Sequence, residues 1–300
     1  MAVNGSTKVG IFAPSSRLTE DELNRASLCL RETFDLTLEI LPSVMNRLSP
    51  EDKAQEFLNA AFEDSFDWFL CARGGEGCAD ILPFLHPFQS KFQNALVKKK
   101  VLGMSDSTPL LLFLSECGWP VWYGHVASFF SRPLSRVTSE SFKRFLTDSS
   151  SSLELTPLNS EAKALNMMES NVVGGNLTLL SLSLKETWEL NTSGKILFME
   201  DWNEKPYVLD RTLKHLERVG FFNGIRALII GDFVGNLPSS EARINEIQES
   251  AIQAVLNRLA EKMTCPVFST KSVGHVHDIQ PILLGPGKIL QSKGKWALEC

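Results

Sequence analysis

Short apolar runs alternate with amphipathic stretches through the first half of the chain. KVGIFAP reads as a strand, and Thr19 and Glu22 follow at the spacing of a capping box, which predicts a helix from about Glu20 to Phe34. LTLEIL then alternates Leu36, Leu38 and Ile40 as a strand does. Ser49-Pro50-Glu51 opens a second helix with Ala54, Phe57, Leu58 and Ala61 on one face. DWFLCA from Asp67 and KKVLGM ending at Met104 are further strands. Strands alternating with helices call for parallel pairing through right-handed crossovers, so an open α/β sheet is expected up to about Glu140. Ligands of such sheets bind beyond the carboxyl ends of the strands, which points to the loops after Ala72 and Met104.

From Leu146 to about Asn171 the pattern weakens, and Ser149 to Ser152 carry no apolar periodicity. This segment reads as a connection between domains, with a surface loop inside one domain as the alternative. The expected division is 1–146, a linker at 147–171, and 172–300. GKILFMED, a helical YVLDRTLKHLERVG, IRALIIGDF, a long helix from about Ser240 to Met263 and CPVFST follow. The short strands PILLG, KILQ and KWALEC close the chain, so the second half is expected to be the more β-rich.

Composition narrows the function classes. Of 300 residues 43% are hydrophobic and 22% charged, which suits a packed core and excludes a wholly disordered chain. Thirty Lys+Arg against 35 Asp+Glu give a net charge of -5, so nucleic acid is not an expected partner. No apolar stretch approaches the ~20 residues of a bilayer span, and the N-terminal stretch does not read as a secretory signal, so no membrane partner and a cytoplasmic location are expected. The six cysteines form no CxxC pair and join no histidine at ligand spacing, which argues for free thiols and against a structural zinc.

Four places carry candidate chemistry. Gly103-Met104-Ser105-Asp106-Ser107 lies between an apolar strand and the helical TPLLLFLSECG. A serine at such a sharp turn exposes its hydroxyl beside the N–H groups of a helix start, although a serine there is also an ordinary N-cap. Arg73-Gly74-Gly75-Glu76-Gly77 follows a strand directly and lets backbone N–H groups approach a ligand, or is simply a tight turn. Glu200-Asp201 ends the apolar KILFM, where α/β proteins place the acid of a triad, or a solvated turn. Gly274-His275-Val276-His277-Asp278 holds two of five histidines, and no further ligand cluster accompanies them, so no metal is expected.

These pieces, with VGIFAPSS, GGNLTLL from Gly174, ILFMEDWNEKPYVLDRTLKHL, IIGDF and SVGHVHDIQPILLG in order along nearly the whole chain, resemble the LD-carboxypeptidase family of serine peptidases, which includes the microcin C self-immunity peptidases. The resemblance implies a doubly wound N-terminal α/β domain carrying the nucleophile and a smaller β-rich C-terminal domain carrying Glu and His. It implies a catalytic triad of Ser105, Glu200 and His275, an oxyanion hole from the N–H groups of Asp106 and Gly75, no cofactor, and a homodimer. Arg73, with Gly74 beside it, is the candidate for binding substrate, Arg73 through the substrate carboxylate. The implied reaction removes the terminal D-alanine from the murein tetrapeptide L-Ala-D-Glu-meso-diaminopimelate-D-Ala in peptidoglycan recycling. The alternatives are a microcin-immunity-type peptidase acting on peptidyl or aminoacyl nucleotides, with Trp122 or Trp202 as base platform, and a non-catalytic binder on the same scaffold. Two departures bear on substrate choice: Glu76 stands where relatives more often have Tyr, and Met104 likewise.

Overall fold

The computed structural model describes residues 7–63, 66–234 and 242–300. The chain divides into two compact units, Met1–Ser139 and Glu140–Cys300.

The first unit contains β1 (Lys8–Phe12), α1 (Glu20–Phe34), β2 (Thr37–Ile40), α2 (Pro50–Phe62), β3 (Trp68–Cys71), the short α3 (Leu82–Leu85) and α4 (Gln89–Gln93), β4 (Lys100–Gly103), α5 (Thr108–Glu116) and β5 (Val121–Tyr123). The local signals act as expected. Thr19 and Glu22 close a reciprocal capping box at the start of α1, and Ser49 caps α2 through the Asp52 N–H with Pro50 in the first turn. The five strands are parallel in the order β5-β4-β3-β1-β2. A parallel sheet covered on both faces needs apolar residues at every position, and β3 is buried throughout. The core is built largely from phenylalanine: Phe57 packs against Phe12, Phe69 and Phe92 with ring centroids 5.0, 5.4 and 6.1 Å apart. The strand order reverses between β1 and β3, so the loops after these strands open a crevice at the carboxyl edge, where ligands of such sheets bind.

His125, in the loop after β5, has no solvent exposure and stacks on Phe130 at 5.7 Å. Burial disfavours the imidazolium and pushes its pKa down to about 3. The unfolded chain binds a proton at this site near pH 6.5 and the folded chain does not, so stability is full above that pH and falls as pH drops toward 3. The expected loss from this group is about 1.4 kcal/mol per pH unit inside that window. Urea unfolding at pH 7, 6 and 5 checks it: H125N is expected to show a shallower pH dependence, and equal slopes would contradict the assignment.

The second unit begins inside α6 (Arg136–Thr147) and continues through β6 (Ser152–Pro157), α7 (Ser160–Ala164), β7 (Met167–Asn176), α8 (Leu177–Leu182), β8 (Ile196–Glu200), α9 (Pro206–Arg218), β9 (Ala227–Ile230), α10 (Ala242–Lys262), β10 (Val267–Ser269), β11 (Ile282–Leu284), β12 (Pro286–Ser292) and β13 (Lys295–Glu299). Seven strands close a barrel in the order β10-β6-β13-β12-β7-β8-β9. The run β7-β8-β9-β10 is parallel, and the remaining pairs are antiparallel.

The segment 147–171, expected as a linker, carries β6, α7 and the first half of β7. Only Leu153 and Leu155 mark β6 in the sequence. Its strand character comes from pairing with β13 and β10, which are distant along the chain. With this segment folded into the barrel, the second unit, expected as the smaller, is the longer of the two. The expected start of the long helix at Ser240 lies outside the described residues. No helix among the described residues is long and apolar enough to cross a membrane.

Candidate active site

In the first unit β4 runs into Met104, which is extended and buried, and the chain then reverses at Ser105. Ser105 has φ +59°, a left-handed conformation that costs a residue with a β-carbon about 1–2 kcal/mol. Its neighbours hold it there. The Ser105 N–H donates to Tyr123 Oη at 2.8 Å, and Thr108 Oγ1 donates to the Ser105 carbonyl at 2.6 Å. Ser105 to Ser107 make one tight helical turn and α5 starts at Thr108, so the serine stands at a strand-to-helix elbow.

The glycine loop packs on this elbow. A β-carbon at Gly74 would lie 2.8 Å from Ser105 Cβ and 2.9 Å from its Oγ. G74A is therefore expected to displace the hydroxyl and lower kcat about 100-fold while circular dichroism stays unchanged. Full activity in G74A would show that the hydroxyl position is not critical. Gly75 has φ +116°, and the Ser16 hydroxyl occupies the space a β-carbon would need. The Glu76 N–H donates to Ser16 Oγ at 3.4 Å, and Lys53 Nζ donates to the Ser15 carbonyl at 2.6 Å, so the loop after β1 braces the glycine loop. The Asp106 side chain is buried and accepts from the Cys78 N–H at 3.0 Å, tying the elbow to the same loop. Burial raises its pKa, with the Cys78 hydrogen bond working the other way.

Arg73 is paired with Glu22, Nη1 to Oε2 at 3.2 Å. Burial raises the Glu22 pKa, but hydrogen bonds from Thr19 and the charge of Arg73 outweigh it and hold the carboxyl below its usual range. The capping residue of α1 thus also anchors the arginine of the glycine loop.

In the second unit the parallel strands bring their carboxyl ends together. Asn176 ends β7 in register with Glu200, which ends β8; Asp232 follows β9, and His275 lies in the loop after β10. Glu200 has no solvent exposure, and its Oε2 is 2.9 Å from His275 Nδ1. Gly274, at φ +120°, allows this approach: a β-carbon there would sit 3.0 Å from Glu200 Oε2 and 3.1 Å from Asp232 Cβ. Burial alone would lower the His275 pKa. The hydrogen bond and charge of Glu200, followed by the charges of Asp201 and Asp232, prevail and raise it above the ordinary histidine value. With Nδ1 engaged by a carboxylate, the neutral ring carries its proton on Nδ1 and leaves Nε2 as a base.

Asp201, which the sequence marks only as part of Glu200-Asp201, organises this end of the barrel. Its Oδ2 accepts from the Thr178 N–H and hydroxyl at 2.9 and 2.8 Å. Its Oδ1 accepts from Asn176 Nδ2 at 2.9 Å and the Trp202 N–H at 2.8 Å. Asn176 Nδ2 also reaches Glu200 Oε1 at 3.3 Å. His277 pairs with its neighbour Asp278 at 3.2 Å on the exposed side of the loop, apart from the Glu200 carboxylate. Trp122 is buried in β5, whereas Trp202 is exposed. Among the described residues no group of three or more His, Cys, Asp or Glu is placed to hold a metal ion. All six cysteines are free thiols.

The elbow serine thus stands on the doubly wound sheet of the first unit, and the buried Glu–His pair on the barrel of the second. Residues 9–124 match the LD-carboxypeptidase N-terminal domain and residues 169–287 the LD-carboxypeptidase C-terminal domain. The chain belongs to the LD-carboxypeptidase family, and it is a serine carboxypeptidase. A Rickettsia conorii protein that carries a carboxypeptidase name is 33% identical over 246 residues, 78% of this chain and 71% of the relative. The crystal structure of muramoyltetrapeptide carboxypeptidase from Oxalobacter formigenes superposes with a TM-score of 0.79 at 25% identity, covering 97% of this chain and 98% of that one. An MccF-like protein from Streptococcus pneumoniae, solved with AMP, gives a TM-score of 0.81 at 19% identity over 98% and 99% of the two chains, a likeness of fold alone.

Proposed function

We propose that the protein removes the terminal D-alanine from the murein tetrapeptide L-Ala-D-Glu-meso-diaminopimelate-D-Ala, using Ser105, His275 and Glu200 as a triad. The observation that carries the reading is the Glu200–His275 pair, a buried carboxylate on Nδ1 that leaves Nε2 to act. Nε2 takes the Ser105 proton as Oγ attacks the carbonyl of the scissile bond, and the N–H groups of Asp106 and Gly75 receive the oxyanion. When the intermediate collapses, the imidazolium gives its proton to the departing D-alanine amine. Water then hydrolyses the acyl-enzyme by the same base. Arg73 is the candidate partner for the substrate carboxylate, held ready by Glu22.

The substrate assignment draws on the Oxalobacter muramoyltetrapeptide enzyme. Six thiols without a disulfide suit a reducing cytoplasm, where peptidoglycan recycling takes place, and the working form is taken to be a homodimer. The nucleotide-peptide alternative asks for an exposed aromatic platform. Trp122 is buried, which leaves Trp202, exposed and with one face against His275, as the platform that reading would use.

Mass spectrometry of the protein incubated with murein tetrapeptide, beside S105A, tests the proposal. Release of D-alanine by the wild type alone is the expected result. No release, with a fluorophosphonate probe still labelling Ser105, would overturn the substrate and direct the search to peptidyl nucleotides.

A further inference from the structure

The hydrogen bond from Nδ1 to Glu200 is one restraint on the orientation of the His275 ring. The second constraint is aromatic. The Trp202 indole lies nearly parallel to the imidazole, with centroids 5.6 Å apart and 19° between the planes. Tryptophans that serve the core of this protein are buried, as Trp68, Trp119 and Trp122 are at 1–3% exposure, whereas Trp202 is 53% exposed. Its place is set by the backbone instead. The Trp202 N–H is held by Asp201, whose carboxylate is anchored by Asn176 and Thr178. Asn203 then turns the chain away in a left-handed conformation at φ +57°.

We propose that Trp202 is a positioning residue whose flat indole holds the His275 imidazole in the plane from which Nε2 acts as base. The proposal rests on the role of His275 given above. It assigns a task to a side chain that neither packs the core nor belongs to the triad. The carboxylates of Glu200, Asp201 and Asp232 supply the charge around His275; Trp202 supplies the orientation. A flat ring is required, because a branched aliphatic chain of similar reach presents no plane parallel to the imidazole.

The test compares W202A, W202F and W202L with the wild type in steady-state kinetics on murein tetrapeptide, and follows the His275 Nδ1 proton by NMR in substrate-free protein. W202A and W202L are expected to lower kcat about three- to tenfold, the factor an aromatic pair of ordinary strength represents, with KM within about twofold. W202F is expected to recover kcat to within about twofold. The Nδ1 proton signal should broaden in W202A and W202L and stay sharp in W202F. Unchanged kcat in W202A, a rise in KM with kcat kept, or equal behaviour of W202L and W202F would each overturn the proposal. Full activity in H275A would overturn the base role itself, an outcome separable from the others because it needs no change at Trp202.

Discussion

Replacing Ser105 with alanine is expected to lower kcat by on the order of 10⁴- to 10⁶-fold while the fold is kept, and replacing it with glycine is expected to do the same and also raise stability. The difference between the two variants follows from the elbow. Ser105 sits at φ +59°, where a β-carbon crowds the following carbonyl; alanine keeps that carbon and glycine removes it. Relief of about 1–2 kcal/mol is partly offset by the larger conformational entropy of glycine in the unfolded chain, roughly 0.5–1 kcal/mol. S105G should therefore be more stable than S105A by roughly 0.5–1 kcal/mol, read as a higher Tm and a higher urea midpoint. The elbow then represents stability given up for a correctly aimed hydroxyl. Residual turnover in S105A near the wild-type level would remove the serine from the mechanism. S105G no more stable than S105A would show that the turn is unstrained.

The second large effect is expected at Glu200. In E200Q the acceptor side of the new amide is already chosen, because Asn176 Nδ2 donates to the oxygen that is now Glu200 Oε1. The glutamine NH2 group is left facing His275 Nδ1 across the present 2.9 Å contact. Nδ1 must then accept, the proton moves to Nε2, and the ring loses the lone pair that the proposed mechanism uses to take the serine proton. A fall in kcat of about 10⁴-fold is expected, as for loss of the orienting acid in other triads. The pH dependence carries a second signature. The base must be neutral, so activity is lost as pH falls through the His275 pKa. In the wild type that pKa is raised, chiefly against burial by the Glu200 hydrogen bond and charge, which places the acidic limb above the ordinary histidine value of 6.5. Removing the charge should move the limb to lower pH. Profiles of kcat/KM for both proteins would test this, and an E200Q limb that coincides with the wild type would separate the carboxylate from the titration.

How far the sequence reveals this molecule depends on how local each signal is. The capping box of Thr19 and Glu22 and the Ser49-Pro50 start of α2 are complete within a few residues, and those helices begin where the residues say. Four of the five strands of the first unit are equally legible, a buried parallel strand such as Trp68–Cys71 being apolar at every position, whereas the three residues of β5, Val121–Tyr123, are too short a run to stand out. β6 is not, since its two buried leucines gain meaning only from pairing with β13 some 140 residues on. The Glu200–His275 contact spans 75 residues and no periodicity predicts it; ordered motifs shared with a family bring the two together on the page. Tyr123, Asn176 and Trp202 are harder still. A tyrosine ending a strand, an asparagine after two glycines and an exposed tryptophan each have common structural uses. Their hydrogen bonds and ring contacts, to the Ser105 N–H, to two carboxylates and to the imidazole, exist only once the chain has folded.

The closed ring of strands in the second unit separates what is held from what is free to vary. Glu200 and Asn176 end paired strands, so their backbones are set by the barrel and not by the turns that follow. A ring has no open edge, and a longer or altered turn at its rim exposes no unpaired strand on which another chain could stack. The strand ends that carry Asn176 and Glu200 are therefore held by the ring itself, whatever the length of the turns at 203–204 and 276–278.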